Sequence, residues 1–531
     1  MRQQFLRLGV VALAMTAICH GSAEAQVKTT GGLVQGTTSP DGRIRIFKSI
    51  PFAAPPVGDL RWQAPRPVAP WTGARDATAF GPRCVQGQIF ADIVFKELSE
   101  DCLTLNIWTP AAAATDRLPV MVWIHGGGFQ AGAGAEPRHD GEAFARTGVV
   151  LVSINYRLGV FGFLSHPDLT RESGRNASGN YGMLDQVAGL QWVKENISAF
   201  GGDPANVTIF GESAGSFAVS ALMASPLAQG LFQKAIGQSG AYFTGGGGAI
   251  PLRPLVDSEQ QGVKFAAALG VETLAALRAR SADDVLKAAL KMQPWFAPNV
   301  DGYFLTEDVA TTFAAGRQAR VPLLAGWNAD EIRAGIVLGK QKPTAKSFTD
   351  DVRKRFGTHA DAILKVYPAT ADAEALESAA ALASDQFIGH NTWKWVEMHA
   401  QTGGAPVYRY SFDRKIPVPD GHTVNGVPAT SRDVGARHAG EIEYVFGALE
   451  LSLPKVPWEA IDRQISDAMT AYWANFARRG DPNGPGLTAW PPYGLDRRVL
   501  HLDETIRAEP DALRPRYEAL DAYIESLRAA N

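Results

Sequence analysis

The sequence predicts an α/β protein built on a doubly wound, mostly parallel sheet, and three observations carry that prediction. Leu118 to Ile124 (LPVMVWI) and Val149 to Ile154 are continuous apolar runs rather than alternating ones. Such runs are strands buried on both faces, as in a parallel sheet covered by helices. Met183 to Ile197 places Leu184, Val187, Ala188, Leu190 and Val193 at helical spacing, and Val207 to Phe210 then resumes the strand pattern. Strand and helix therefore alternate along the chain. The 531 residues, 46% hydrophobic and 20% charged, suffice for a large core and exclude disordered, collagenous and multi-span membrane classes. Lys+Arg of 51 against Asp+Glu of 54 leaves a formal charge of −3, which provides no electrostatic footprint for nucleic acid or an anionic membrane surface.

Taken in order, the chain opens with an address. Arg2 and Arg7 precede an apolar run from Leu8 to Cys19, and Gly21-Ser22-Ala23-Glu24-Ala25 ends it with small residues. This is the pattern of a secretory signal peptide, residues 1–25, cleaved after Ala25. The run is too short for the roughly 20 residues of a membrane span, so the mature chain is expected to be exported, to periplasm or medium, with no membrane attachment. Residues 26–75 carry turn signals between short apolar stretches and read as small antiparallel strands. The helix from Met183 stops at the breaker Phe200-Gly201-Gly202-Asp203-Pro204. Leu231 to Ile236 leads to a further strand ending Gln238-Ser239-Gly240. Residues 250–400 are mainly helix-like, interrupted by a strand at Val321 to Ala325. Val407 to Phe412 reads as a strand and Gln464 to Arg478 as a late helix. Gly245 to Gly248 is a glycine loop that lacks the Lys-Ser/Thr of a phosphate loop. With no repeat and no linker, residues 26–531 are expected to form a single domain.

Cys19 leaves with the signal, so Cys84 and Cys102 remain as the one pair in a chain bound for an oxidising compartment. A disulfide between them would stabilise the fold by roughly 3 kcal/mol on the loop-entropy estimate. Two cysteines this far apart, with no histidine near either, do not make a metal site, and no cofactor is expected.

Chemistry enters at Gly211-Glu212-Ser213-Ala214-Gly215, which follows strand Val207 to Phe210 and precedes the helix-compatible Ser216 to Ala224. A G-x-S-x-G between strand and helix is a nucleophile elbow: the sharp turn exposes the Ser213 hydroxyl, and the helix N-terminus offers N–H groups to a developing oxyanion. A serine nucleophile needs a base, and the base needs an acid to orient it. His438 lies C-terminal to the serine in the small-residue loop Gly435 to Gly440, but His359, His390, His399, His422 and His501 satisfy the same order. Asp330 and Glu331 both follow the strand Val321 to Ala325 and both fit the acid. Gly126-Gly127-Gly128 after Ile124 resembles the glycine loop that supplies oxyanion N–H groups in esterases and lipases.

Together these pieces closely resemble the type-B carboxylesterase/lipase family, cholinesterase-like α/β-hydrolases whose bacterial members are para-nitrobenzyl-esterase-like. The resemblance runs nearly end to end, through Ser99-Glu100-Asp101-Cys102-Leu103, Trp123-Ile124-His125-Gly126-Gly127-Gly128, Asn155-Tyr156-Arg157, Gly179-Asn180-Tyr181-Gly182, the elbow, and Gly480-Asp481-Pro482-Asn483. It implies an α/β-hydrolase fold: a large, mostly parallel central sheet flanked by helices, with loop and helix insertions around an active-site gorge. It implies Ser213 as nucleophile, His438 as base and Glu331, rather than Asp330, as acid. It assigns the oxyanion N–H groups to Gly127, Gly128 and Ala214, and matches Cys84–Cys102 to the family's first disulfide. The activity implied is hydrolysis of small-molecule carboxylic esters through an acyl-enzyme.

Departures narrow this. Cholinesterases of the family carry a cation-stacking Trp ten residues before the second loop cysteine, where this chain has Asp92, and an aromatic three residues after the acid, where it has Ala334. A choline-ester specialist is not expected. Trp295 and Phe296 fall where the family lines its acyl side, and core packing explains them equally well. A specialist hydrolase of the same mechanism (aryl, toxin, lactone or polymer ester, or amide) and a non-catalytic scaffold of the same fold are the competing readings.

Overall fold

A computed structural model describes residues 25–88, 97–243, 249–293, 295–342, 344–424 and 427–529. The segment up to Glu24 expected to be a leader, Asp92 and the Gly245–Gly248 loop lie outside the described residues. One thirteen-stranded sheet spans the chain. Its strands are β1 (Ala25–Lys28), β2 (Leu33–Thr38), β3 (Arg45–Pro51), β4 (Ala74–Asp76), β5 (Thr104–Thr109), β6 (Leu118–Ile124), β7 (Val150–Ile154), β8 (Gly202–Glu212), β9 (Lys234–Gln238), β10 (Leu323–Asn328), β11 (Val407–Phe412), β12 (Arg498–Leu502) and β13 (Arg507–Pro510). They lie in the order β1-β2-β3-β5-β7-β6-β8-β9-β10-β11-β12-β13, with β4 beside β2. From β7 to β12 every neighbouring pair is parallel. The N-terminal edge and the last pair, β12–β13, add antiparallel strands.

The apolar runs read as two-sided strands are two-sided. Val120, Val122 and Ile124 of β6 pack into one core cluster, whereas Met121 and Trp123 pack into a second one. Successive side chains of a strand point to opposite faces, so a continuous apolar run feeds both cores at once. The helix α1 (Tyr181–Asn196) and the elbow helix α2 (Ala214–Ala224) belong to the first side, and the long helix α3 (Ala460–Arg479) to the second. Every residue of α2 is buried, which its small side chains (Ala214, Gly215, Ser216, Ala218, Ser220, Ala221, Ala224) permit. Asp185 of α1, fully buried, takes the Arg157 guanidinium in a two-pronged pair at 2.8 and 2.7 Å and accepts the Arg157 backbone N–H as well.

Some elements differ from the sequence reading. Strand β8 begins at Gly202, inside the expected breaker, because Gly201 at φ 82° ends the preceding turn and lets the chain enter the sheet at once; a register irregularity between Gly202 and Val207 absorbs Pro204. Strand β10 sits two to three residues later than the Val321 run, and α3 starts at Ala460, four residues earlier than expected.

Candidate active site

The groups singled out in the sequence converge at the C-terminal ends of β6, β8 and β10, the end where open parallel sheets bind ligands. Ser213 follows β8 directly with φ 52° and ψ −122°, a conformation costly for any residue with a side chain. It is held there by its own N–H donating to Gln238 O at 2.8 Å and its carbonyl accepting from Phe217 N–H at 2.9 Å. The turn also needs a bare Gly215, since a β-carbon there would lie 2.0 Å from Ile124 O.

His438 arrives from a different part of the chain, and its loop is stitched to the end of β10. Asn328 Nδ2 donates to Arg437 O at 2.7 Å, and Ala436 N–H donates to Asp330 Oδ2 at 2.9 Å. This separates the two candidate acids by direction: Asp330 turns to the loop backbone, whereas Glu331 turns to the imidazole. Glu331 Oε2 lies 2.5 Å from His438 Nδ1, and Ser213 Oγ lies 2.9 Å from His438 Nε2. The other Glu331 oxygen accepts from the Ser239 hydroxyl at 2.7 Å and the Asn328 N–H at 2.8 Å. The remaining histidines are engaged elsewhere or far off: His390 with Asp521, His399 with Val321 O, His501 with Asp413, and His359 against Tyr523, while His422 is exposed in a turn.

Gly127 and Gly128 follow β6 with φ of 105° and 63°, which only glycine adopts freely, and no protein acceptor takes their N–H groups or that of Ala214 among the described residues. Gly127, Gly128, Ser213 and His438 line one cavity of about 360 Å³, closed on other sides by Phe217, Ile250, Trp295, Phe387 and Ile442. A larger cleft of about 640 Å³ beside Trp62, Leu169, Arg175 and Tyr303 contains none of these groups. Among the described residues no set of three His, Cys, Asp or Glu side chains could hold a metal ion, and no helix is long and apolar enough to cross a membrane. Cys84 and Cys102 are bonded to each other, their Cα atoms 5.0 Å apart.

The carboxylates around His438 outnumber what the sequence reading anticipated. Glu212, one residue before the serine, brings Oε1 to 3.4 Å from His438 Nε2, and buried Glu441 accepts from Asn328 Nδ2 at 2.6 Å and Gln238 Nε2 at 3.2 Å. Burial pushes Glu212 up to about 8, His438 draws it down, and Glu441 adds to the rise. Burial likewise raises Glu441, with Glu331 contributing. For His438 burial favours the neutral ring, but Glu212, Glu331 and Glu441 outweigh it and raise the imidazole to about 9. The charged form of the ring is thus favoured. His125 of the glycine loop is different: buried, stacked on Tyr156 at 4.5 Å and pushed down to about 4, it is a neutral packing element.

Glu212, Ser239, Glu441 and Phe387 were not singled out by the sequence reading. Phe387 sits in a single π-helical turn, Asp385–Gly389, that leads into the helix His390–Thr402, and its ring meets the His438 ring edge-on at 5.2 Å. Only Ser239, in the Gln238-Ser239-Gly240 strand end, carried a signal. Of the two acyl-side aromatics, Trp295 lines the cavity, whereas Phe296 is buried against Phe265. Ala334 packs among the helices beyond the site rather than in it.

A mostly parallel sheet with a serine elbow at one strand end, a glycine loop at the next and a histidine delivered from the C-terminal part of the chain defines an α/β-hydrolase. The sequence profile described as Carboxylesterase family matches residues 23–519. Relatives include Fumonisin B1 esterase of Sphingopyxis macrogoltabida, 38% identical over 88% of this chain and 84% of that protein. Para-nitrobenzyl esterase of Bacillus subtilis is 36% identical over 91% of this chain and 96% of its own length. Among solved structures, a PNB esterase superposes with TM-score 0.79 at 34% identity, covering 94% of this chain and 99% of its own. A carboxylesterase of Geobacillus stearothermophilus gives TM-score 0.78 at 33% identity, covering 93% and 99%. The chain belongs to the carboxylesterase family and is a carboxylic ester hydrolase.

Proposed function

We propose that the protein is an exported serine carboxylesterase that works through an acyl-enzyme on Ser213, with His438 as general base and acid and Glu331 orienting it. The observation that carries this is the unbroken run Ser213 Oγ to His438 Nε2 at 2.9 Å and His438 Nδ1 to Glu331 Oε2 at 2.5 Å, opening on a cavity with free backbone N–H groups. His438 takes the Ser213 proton as Oγ adds to the ester carbonyl, and the oxyanion accepts hydrogen bonds from Gly127, Gly128 and Ala214 N–H. Collapse of the tetrahedral adduct breaks the bond to the alcohol oxygen, which leaves with the proton from His438. A water then gives its proton to His438, adds to the acyl carbon, and the acid departs as Ser213 recovers its proton. Negative charge on the acidic groups around His438 favours its charged form.

Export follows from the leader pattern of residues 1–25 and is compatible with the Cys84–Cys102 bond. Turnover of p-nitrophenyl acetate by the wild-type protein and by a folded Ser213→Ala variant tests the reading. Activity is expected to vanish in the variant; near-normal turnover there excludes the mechanism. A matched amide substrate, expected to be much slower, separates esterase from amidase.

A further inference from the structure

The wall of the Ser213 cavity carries two arginines, and they differ in what they already hold. Arg138 is buried and engaged: its Nη2 donates to Ala439 O at 2.8 Å, and the guanidinium pairs with Glu443 at 3.0 Å. Arg437 is half-buried, and its guanidinium pairs with no carboxylate among the described residues. It makes one long bond, from Nη1 to the His438 carbonyl at 3.4 Å. Asp330 faces Arg437 across a backbone bridge but gives its carboxylate to the Ala436 N–H at 2.9 Å.

The acidic groups nearby do not cancel this charge. Glu331 and Glu441 do not line the cavity. Glu212 does, and its burial favours the uncharged acid. Glu136 accepts the Ala133 N–H at 3.0 Å, and its charge acts on Arg83. A guanidinium without a counter-ion on the wall of a substrate cavity is set for an anion from outside the chain, and its planar fork matches a carboxylate. The main chain that carries it is fastened independently, since Arg437 O accepts from Asn328 Nδ2 at 2.7 Å. The position also defines which part of an ester the side chain meets. In the tetrahedral adduct the oxyanion faces the glycine loop, and the alcohol oxygen faces His438 Nε2. Arg437 is the neighbour of His438 on the same loop, so it meets what is attached to the alcohol oxygen.

We propose that Arg437 selects esters whose alcohol part carries a carboxylate, that is, acyl esters of hydroxy acids. This rests on the Ser213 acyl-enzyme reading. The test compares kcat/KM on p-acetoxybenzoate with kcat/KM on its neutral counterpart, p-acetoxybenzamide, for wild type, Arg437→Gln and Arg437→Lys, with active sites counted by fluorophosphonate titration. The ratio within each protein cancels any general loss of activity. A hydrogen bond between charged partners favours binding about tenfold or more. The carboxylate-to-amide ratio is therefore expected to fall on the order of tenfold in Arg437→Gln and to fall less in Arg437→Lys, which keeps the charge but not the fork. In the wild type the ratio is expected to fall as sodium chloride is raised. A second pair, p-nitrophenyl hydrogen adipate and its neutral terminal amide, places the carboxylate on the acyl part and is expected to respond less to Arg437→Gln. An unchanged ratio in an Arg437→Gln variant that titrates normally, a wild-type ratio indifferent to salt, or a larger response from the acyl pair overturns the inference. Wild-type protein that neither turns over the acetyl esters nor takes the label overturns the Ser213 reading itself and the inference with it.

Discussion

Replacing Glu331 by glutamine keeps the side chain's shape and changes what its two ends can do. One carboxylate oxygen accepts from the Asn328 N–H at 2.8 Å, an obligatory donor, and from the Ser239 hydroxyl at 2.7 Å. The glutamine must therefore keep its oxygen there, which turns its NH₂ toward His438 Nδ1. That ring nitrogen then has to accept, so the proton sits on Nε2, the atom that should take the proton of Ser213. The wrong tautomer costs on the order of 10⁴-fold in kcat, about 5.5 kcal/mol in the barrier, when the geometry is otherwise intact. Asp330→Asn is the internal comparison. Its oxygen can still accept from Ala436 N–H, so only one charge at an exposed position is lost and turnover is expected to stay within a few fold of wild type. Initial rates on p-nitrophenyl acetate at saturating substrate, scaled by labelled sites, give both numbers. A Glu331→Gln variant within tenfold of wild type, or an Asp330→Asn variant that loses most activity, refutes the assignment.

Two further outcomes follow from the same structure. Because Glu212, Glu331 and Glu441 raise His438, the neutral base is lost as pH falls through a value above the usual imidazole 6.5, so kcat/KM rises with pH toward the alkaline side. Glu212→Gln removes the leading upward influence and is expected to move the midpoint down by about one unit; a pH–rate profile whose midpoint stays put or moves up contradicts this. Replacing Cys84 and Cys102 by serine opens a link between positions 18 residues apart and should lower unfolding stability by roughly 3 kcal/mol, read from urea denaturation; no change would mean the bond adds nothing to the fold.

What the sequence could and could not tell follows from where each signal resides. Strands β6, β7 and β11 were legible because burial on both faces demands an unbroken apolar run, as LPVMVWI shows. Strand β13, Arg507–Pro510, was not: it closes the sheet edge, and its charged, half-exposed residues read as loop. The elbow was legible because its glycines stand where backbones touch. Choosing between Asp330 and Glu331 depends on which neighbour turns toward the imidazole, and that is set by the Ala436 N–H, more than a hundred residues away. Glu441, close to His438 in the chain, and Phe387 were hidden for another reason: their approach to the imidazole depends on a loop docking and a π-helical turn that leave no periodic trace. Trp295 and Phe296 are adjacent and both aromatic, and only the packing shows that one faces the cavity and the other the core.

The most direct measurement is the intact mass of the protein, purified from cells that carry the full-length gene, before and after a fluorophosphonate probe, with the labelled peptide mapped. The expected result is an unlabelled chain beginning at Gln26, two hydrogens lighter than the reduced form, and one adduct carried by Ser213. Folded protein that takes no adduct, or takes it on another residue, would contradict the claim that Ser213 is the activated nucleophile.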